Sequence, residues 1–160
     1  MVELVYTTGV YGKTESRFFD QIENAGIQLF CDIRQRRGVR GSQYRFVNST
    51  YLQHALSDRG IGYRYVAQLA PTREIREAQH LIDQAQGIGK RARNELGEEF
   101  KRRYVEEILG RFDTDAFSRS LDPNVRRIVL FCVEGQPKAC HRSLVAERLQ
   151  LDWNVPVENL

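Results

Sequence analysis

The chain has 160 residues, 41% of them hydrophobic, which suits one globular domain able to bury a core of its own. No apolar run approaches the roughly 20 residues that a membrane helix needs, and no basic segment followed by a long apolar one opens the chain, so a membrane partner is not expected and a cytoplasmic location is. The net charge is only +3, and the three cysteines are too few and odd in number for a disulfide framework, which points to reduced thiols.

The first predicted element is a strand over Leu4 to Thr8, closed by Gly9. Thr14 or Ser16 can cap a helix that carries Phe18, Phe19 and Ile22 and stops at Gly26. Ile27 to Ile33 is a near-continuous apolar run of the kind buried on both faces of a parallel sheet. A polar loop rich in Arg and Gly runs from Arg34 to Phe46. Asn48 or Ser49 then starts a helix through Tyr51, Leu52, Ala55 and Leu56 that ends at Gly60, and Ile61 to Val66 reads as the third strand. Thr72 to Leu109 is helical and charged, broken near Gly87-Ile88-Gly89 into two helices, with a further short helix over Asp113 to Leu121. Arg127 to Cys132 is the fourth strand and Val155 to Val157 a short fifth, after a helix that starts near Ser143.

Strands alternating with helices predict a single α/β domain, 1–160, a Rossmann- or flavodoxin-like three-layer sandwich. Its sheet is mostly parallel, with four or five strands and helices on both faces, and residues 72–121 form a helical insertion.

The most informative stretch is Phe131-Cys132-Val133-Glu134-Gly135-Gln136-Pro137-Lys138-Ala139-Cys140-His141-Arg142. It joins an apolar strand to a helix start across a turn containing Gly135 and Pro137. In open α/β sheets ligands bind at the carboxyl ends of the strands, where free backbone N–H groups of the following helix favour an anion.

The pattern C-x-E-x5-C-H-R in this stretch is similar to the signature of domain-of-unknown-function family 488. Tyr6-Thr7-Thr8-Gly9, Asp32-Ile33-Arg34 and Gly60-Ile61-Gly62-Tyr63 resemble the same family, and together they cover most of the chain. The chain departs from the family pattern at Gly9-Val10-Tyr11, where Gly-His-Ser is usual. It departs again at Arg37, usually Pro, and at Leu69-Ala70-Pro71, usually Leu-Gly-Gly. The resemblance implies a fold and a site, and it implies no substrate.

The parallel sheet brings Thr8, Gly9, Asp32, Arg34, Glu134, Cys140, His141 and Arg142 to one edge. Two readings of the acids stay open here: an ion pair of Asp32 or Glu134 with Arg34 or Arg142 beneath the loop, or a pocket aimed at one ligand. In the second, His141 is the acid/base, Glu134 or Asp32 its partner, and Arg34 and Arg142, with Thr8 and Gly9, hold an anion. Cys140, at a helix start beside His and Arg, is the thiol best placed for nucleophilic use. A phosphatase-type Cys-x5-Arg loop is absent, because Lys138 lies six residues after Cys132 and Arg142 two after Cys140. Zinc is an alternative through Cys132, Cys140 and His141, with Cys31 as a conceivable fourth ligand, although close C-x2-4-C pairs are missing. No motif calls for a cofactor. His54 and His80 read as surface residues.

Arginine outnumbers lysine 20 to 4, and Arg34, Arg36, Arg37, Arg40 and Arg45 fall within twelve residues. Helix-surface pairing explains such an excess as well as anion recognition does. Arg36, Arg37, Arg40 and Arg45, with Tyr44 and Phe46 among them, are the candidates for binding nucleic acid. The function expected is therefore a phosphate- or other anion-binding α/β protein, read first as an enzyme on a nucleotide-like or nucleic-acid substrate. A non-catalytic nucleic-acid-binding or regulatory module and a thiol-dependent or zinc protein are the alternatives.

Overall fold

Short apolar and aromatic runs build the strands: β1 (Leu4–Thr8), β2 (Leu29–Asp32), β3 (Gly62–Tyr65), β4 (Arg127–Phe131) and β5 (Val157–Asn159). The helices are α1 (Glu15–Asn24), α2 (Ser49–Ser57), α3 (Arg73–Ala85), α4 (Glu98–Glu107), α5 (Thr114–Arg119) and α6 (Arg142–Trp153). All 160 residues are described in this computed structural model. Thr14, Thr72 and Asp113 accept from the backbone N–H three residues on and so cap α1, α3 and α5. Gly26, at φ +65°, takes the left-handed turn that stops α1. Asn48 stands at the start of α2 but does not cap it. Its Oδ1 instead accepts from Val39 N at 2.7 Å and pins the arginine loop.

The strands form one wholly parallel sheet in the order β3-β2-β4-β1-β5. β4 lies between β1 and β2, with Thr8 opposite Phe131 on one side and Asp32 opposite Phe131 on the other. The chain leaves β1 for α1 and β2, whereas α6 leads from β4 to β5 on the far side of β1. The connections diverge at the C-terminal edge of β1, β2 and β4, where a crevice opens. The sheet is thus the predicted α/β class, with the fifth strand present. The second and third strands are each shorter than their apolar runs suggest, because Ile27 N bonds Ile22 O and Ile61 N bonds Leu56 O, which closes the turns after α1 and α2.

The core is one cluster of 36 buried residues. Phe18 of α1 is its aromatic hub, with ring centroids 5.2–6.2 Å from Phe19, Phe30, Phe46 and Phe131 in tilted or edge-on pairs. On β2 the alternation of side chains sets Phe30 and Asp32 on one face and Cys31 on the other; β4 likewise separates Val129 and Phe131 from Leu130 and Cys132. Val145, Ala146 and Leu149 of α6 are buried, and α6 packs against β1, β4 and β5.

Helices α3, α4 and α5 lie between β3 and β4 in the chain, and α3 and α4 with the segment between them pack back onto the C-terminal edge of the sheet. Leu96 N bonds Lys138 O at 3.0 Å, and Tyr104 Oη donates to Leu69 O at 2.6 Å.

Gly9 sets how closely the loop after β4 approaches β1. A Cβ there would lie 1.9 Å from the backbone oxygen of Glu134. Gly9→Ala is therefore expected to destabilise the fold by about 1–3 kcal/mol or more, since backbone rather than a flexible side chain must yield. Urea denaturation measures it, and wild-type stability in the variant would show that the two loops do not touch.

Candidate functional site

At the end of β2 the Asp32 carboxylate is fully buried and accepts from Arg34 Nε at 2.9 Å and Nη2 at 2.7 Å. Tyr63 Oη adds a third bond at 2.8 Å. The guanidinium of Arg34 lies 4.7 Å from the Phe131 ring, and its Nη1 is buried with no partner in the protein. Asp32 is thus an ion-pair member that fixes Arg34, and Arg34 turns its unused edge elsewhere.

At the end of β4 the loop bends through a single 3-10 turn, Pro137–Ala139, that carries Cys140 back to Cys132. Arg142, although it opens α6, is 1% exposed. It donates to Thr7 Oγ1 at 3.3 Å, Glu134 O at 2.5 Å and Gly135 O at 3.0 Å. Thr8 Oγ1 donates to Gly9 O and accepts from Lys13 Nζ at 3.0 Å. Burial first, and then the Arg142 charge, bring the pKa of Lys13 down to about 8. Thr7, Gly9 and Arg142 therefore stitch β1 to the β4–α6 loop, whereas the Thr8 hydroxyl is spent on Gly9 and Lys13 of its own loop.

A cleft of about 570 Å³ opens on the other side of that loop, within the size range of small-molecule sites. Arg34, Glu134, Cys140 and His141 line it, together with Cys132. The ligand atoms of Cys132, Cys140 and His141 all lie within 4.8 Å of one another. Cys140 Sγ is 3.8 Å from His141 Nδ1, and His141 Nε2 is 3.0 Å from Ile33 O. Cys31 stands apart, opposite Leu130 and two residues short of Cys132 along the sheet. It is fully buried, lines no part of the cleft and lies outside the group of three ligand atoms, so it acts as core filling, and burial pushes its thiol up to about 12.

Charge is balanced tightly on the cleft floor. Glu134 accepts from Cys132 Sγ at 3.2 Å and Arg93 Nη2 at 3.1 Å, and Lys90 Nζ lies 3.4 Å away. Burial alone would raise its pKa, but Lys90, His141 and the two thiols bring it down to about 2. The hydrogen bond with Cys140, burial and the Glu134 charge hold the Cys132 thiol well above its ordinary value. Burial opposes charge on His141, yet Cys132, Glu134 and the Ile33 carbonyl outweigh it and raise the imidazole above 6.5.

The far wall comes from the helical insertion, and sequence reasoning missed it. Arg93 donates to Asp83 at 2.7 Å and also to Glu134 and Ala139 O. Gln79 and Asp83 are buried one turn apart on α3 and bond each other at 2.7 Å. Two buried polar residues at that spacing on a charged helix were the available signal. Arg76 reaches Gln35 Oε1 and has no carboxylate partner; burial and then the nearby Arg36 charge lower its pKa.

The arginine loop divides. Arg36 is exposed and lines the cleft, while Arg37 stacks on Tyr65 at 4.3 Å and bonds Ser49. Arg40 and Arg45 are exposed. Of the two remaining histidines, His80 is exposed at the cleft wall and His54 is exposed on α2.

The chain belongs to the family described as Domain of unknown function DUF488, whose match covers residues 14–149 and so spans most of the sheet, the insertion and the floor cluster. Neither curated proteins nor solved structures give a match. No helix is long and apolar enough to cross a membrane.

Because Asp32 and Arg34 are both buried, Asp32→Ala leaves an uncompensated guanidinium and is expected to cost about 3–5 kcal/mol in denaturant unfolding. The double change Asp32→Leu, Arg34→Met should recover much of that loss. A single variant within about 0.5 kcal/mol of wild type would show that the pair is not a structural element.

Proposed function

We propose that this DUF488-family protein is an enzyme that binds a small phosphate-bearing, nucleotide-like ligand in the cleft and acts on it over the floor formed by Cys132, Glu134, Cys140 and His141. The observation that carries this reading is the free Nη1 of Arg34. A buried, charged donor without an acceptor costs about 1–3 kcal/mol or more, and an anionic oxygen arriving in the cleft would satisfy it. Arg36 and Arg76 stand on the same cleft with no carboxylate to neutralise them, whereas Arg73 pairs with Glu77, and Arg93 with Asp83 and Glu134. Arg76 thus takes the clamp position that the sequence suggests for Arg142.

The catalytic part rests on the grouping of titratable side chains with displaced pKa values in a concave site. Asp32 keeps Arg34 in orientation, and Glu134 is the group placed to exchange a proton with a ligand, beside His141, whose Nε2 is spent on Ile33 O.

Inorganic phosphate, pyrophosphate or a nucleotide should raise the melting temperature of the wild type, by an amount that grows with ligand concentration. Arg36→Met with Arg76→Met is expected to weaken the apparent affinity about 10-fold or more, since bonds to charged groups contribute about 1.5–3 kcal/mol each. An undiminished shift in that variant would place the anion elsewhere.

A second reading, a nucleic-acid-binding module, is favoured by one surface feature. Arg91 lies 5.2 Å from the half-buried Tyr11 ring, which with exposed Arg36, Arg40 and Arg45 offers one stacking face beside cations, whereas Tyr44, 5.4 Å from Arg91, is buried in the core. On this reading, affinity for single-stranded DNA or RNA falls with salt. Arg36→Ala, Arg40→Ala and Arg45→Ala together then flatten the slope by about 0.7 for each phosphate no longer neutralised. Absence of binding at low salt would remove it.

A further inference from the structure

The cleft floor has a property that anion binding does not require. Two cysteines and a histidine from opposite ends of one loop meet in a single small volume, each buried yet lining the cleft. Cys132 leaves the end of β4, the 3-10 turn returns Cys140 to it, and His141 follows directly. An apolar filling role accounts for a cysteine such as Cys31, but it does not account for an imidazole and a carboxylate gathered around the other two.

The imidazole is oriented as a metal ligand is. Nε2 lies 3.0 Å from the carbonyl of Ile33 and donates its proton there, which leaves Nδ1 facing the sulfur of Cys140. Histidines that ligate metals characteristically spend their other nitrogen on a carbonyl or carboxylate in this way. With zinc–sulfur bonds of about 2.3 Å, two thiolates on a tetrahedral ion lie ~3.8 Å apart. The three donor atoms here are within 4.8 Å of one another, so roughly an ångström of side-chain adjustment would close them on an ion.

We infer that Cys132 Sγ, Cys140 Sγ and His141 Nδ1 bind one zinc ion, with the fourth coordination position turned to the cleft beside Glu134. Two thiolates and one imidazole form a soft-to-borderline donor set that suits zinc and does not suit magnesium or calcium. Three protein ligands and one open position are the pattern of zinc sites that act on a ligand, not of those that only brace a fold. Glu134 is held through Oε1 by Arg93 and Lys90, and its Oε2 lies 3.2 Å from Cys132 Sγ. That places a carboxylate where it can accept from a water or ligand atom on the ion. The inference rests on the floor cluster alone and does not depend on the cationic wall.

Untagged protein purified from zinc-supplemented medium should contain about one zinc per chain by elemental mass spectrometry, removable by a chelator. Cobalt(II) added to the stripped wild type should give thiolate charge-transfer and intense visible bands of a tetrahedral site, saturating at one equivalent. Cys140→Ser or His141→Gln should weaken that binding by more than the roughly 10–100-fold lost when a residue that only orients a ligand is removed. Should those variants fail to fold, alkylation of the wild type decides the matter. Zinc should slow labelling of Cys132 and Cys140, a chelator should restore it, and Cys31 should stay slow in both conditions. Stripped, folded protein that shows no cobalt spectrum and identical labelling with and without zinc would overturn the inference. Phosphate-induced stabilisation measured on the same metal-free sample reports on the anion cleft separately, so either reading can fail without the other.

Discussion

The guanidinium of Arg93 is the joint on which the site depends. It makes four hydrogen bonds inside the protein: one to Asp83 on α3, one to Glu134 after β4 and two to Ala139 O. Without it, buried Asp83 would lose its only cationic partner, a loss of about 3–5 kcal/mol for a buried pair broken on one side, and Glu134 would be left with Lys90 alone. The insertion therefore cannot swing away from the sheet cheaply, and the wall and floor of the cleft behave as one body. Arg142 makes the matching joint on the other side of the same loop, tying Glu134 O and Gly135 O to Thr7 of β1.

This explains much of the preference for arginine over lysine. A planar fork can satisfy two or three carbonyls and carboxylates at once in a buried setting, and a lysine ammonium on a flexible stem cannot hold that geometry. Arg34, Arg93 and Arg142 are of this kind. A second population, Arg102 and Arg103 on α4 and Arg148 on α6, forms exposed or half-exposed pairs three or four residues apart, each contributing about 0.2–0.5 kcal/mol. A third group, Arg36, Arg40, Arg45 and Arg76, is left without a carboxylate, and that group lies along the cleft and the arginine loop.

The elements were legible because their signals are local: capping Thr14, the helical stretch that opens at Thr72, the stop at Gly26, the apolar strands. The strand order was not, since nothing local says that β4 enters between β1 and β2. The β4–α6 loop was legible as a site because its polar residues crowd between an apolar strand and a helix start. The partition of those residues was not. Asp32 and Arg34 are two residues apart, and their pairing was one of two open readings. Arg142 looks like an anion ligand by sequence, but the close approach that Gly9 permits brings Glu134 O onto its guanidinium. Arg93 and Glu134 are 41 residues apart, and on the charged surface of the insertion no spacing rule singles Arg93 out.

The two proposed features of the cleft have complementary electrostatics. A divalent ion held by two thiolates and a neutral imidazole carries no net charge, so it would attract an anion only at short range, through its open position. The wall does the longer-range work: six arginine and lysine side chains against three carboxylates line the cleft, and Arg34, Arg36 and Arg76 keep donors in reserve. A ligand with a phosphate at one end and a polar carbon centre or ring at the other would satisfy both, with its anionic end on the arginines and its other end over the floor. The cationic wall alone would select for charge. The floor, a few ångströms across and bordered by Phe100, Leu96 and Val133, would add selection for size and shape. A long polyanion touching only Arg40 and Arg45 would use neither, and on that ground the concave cleft favours a small ligand over an extended strand.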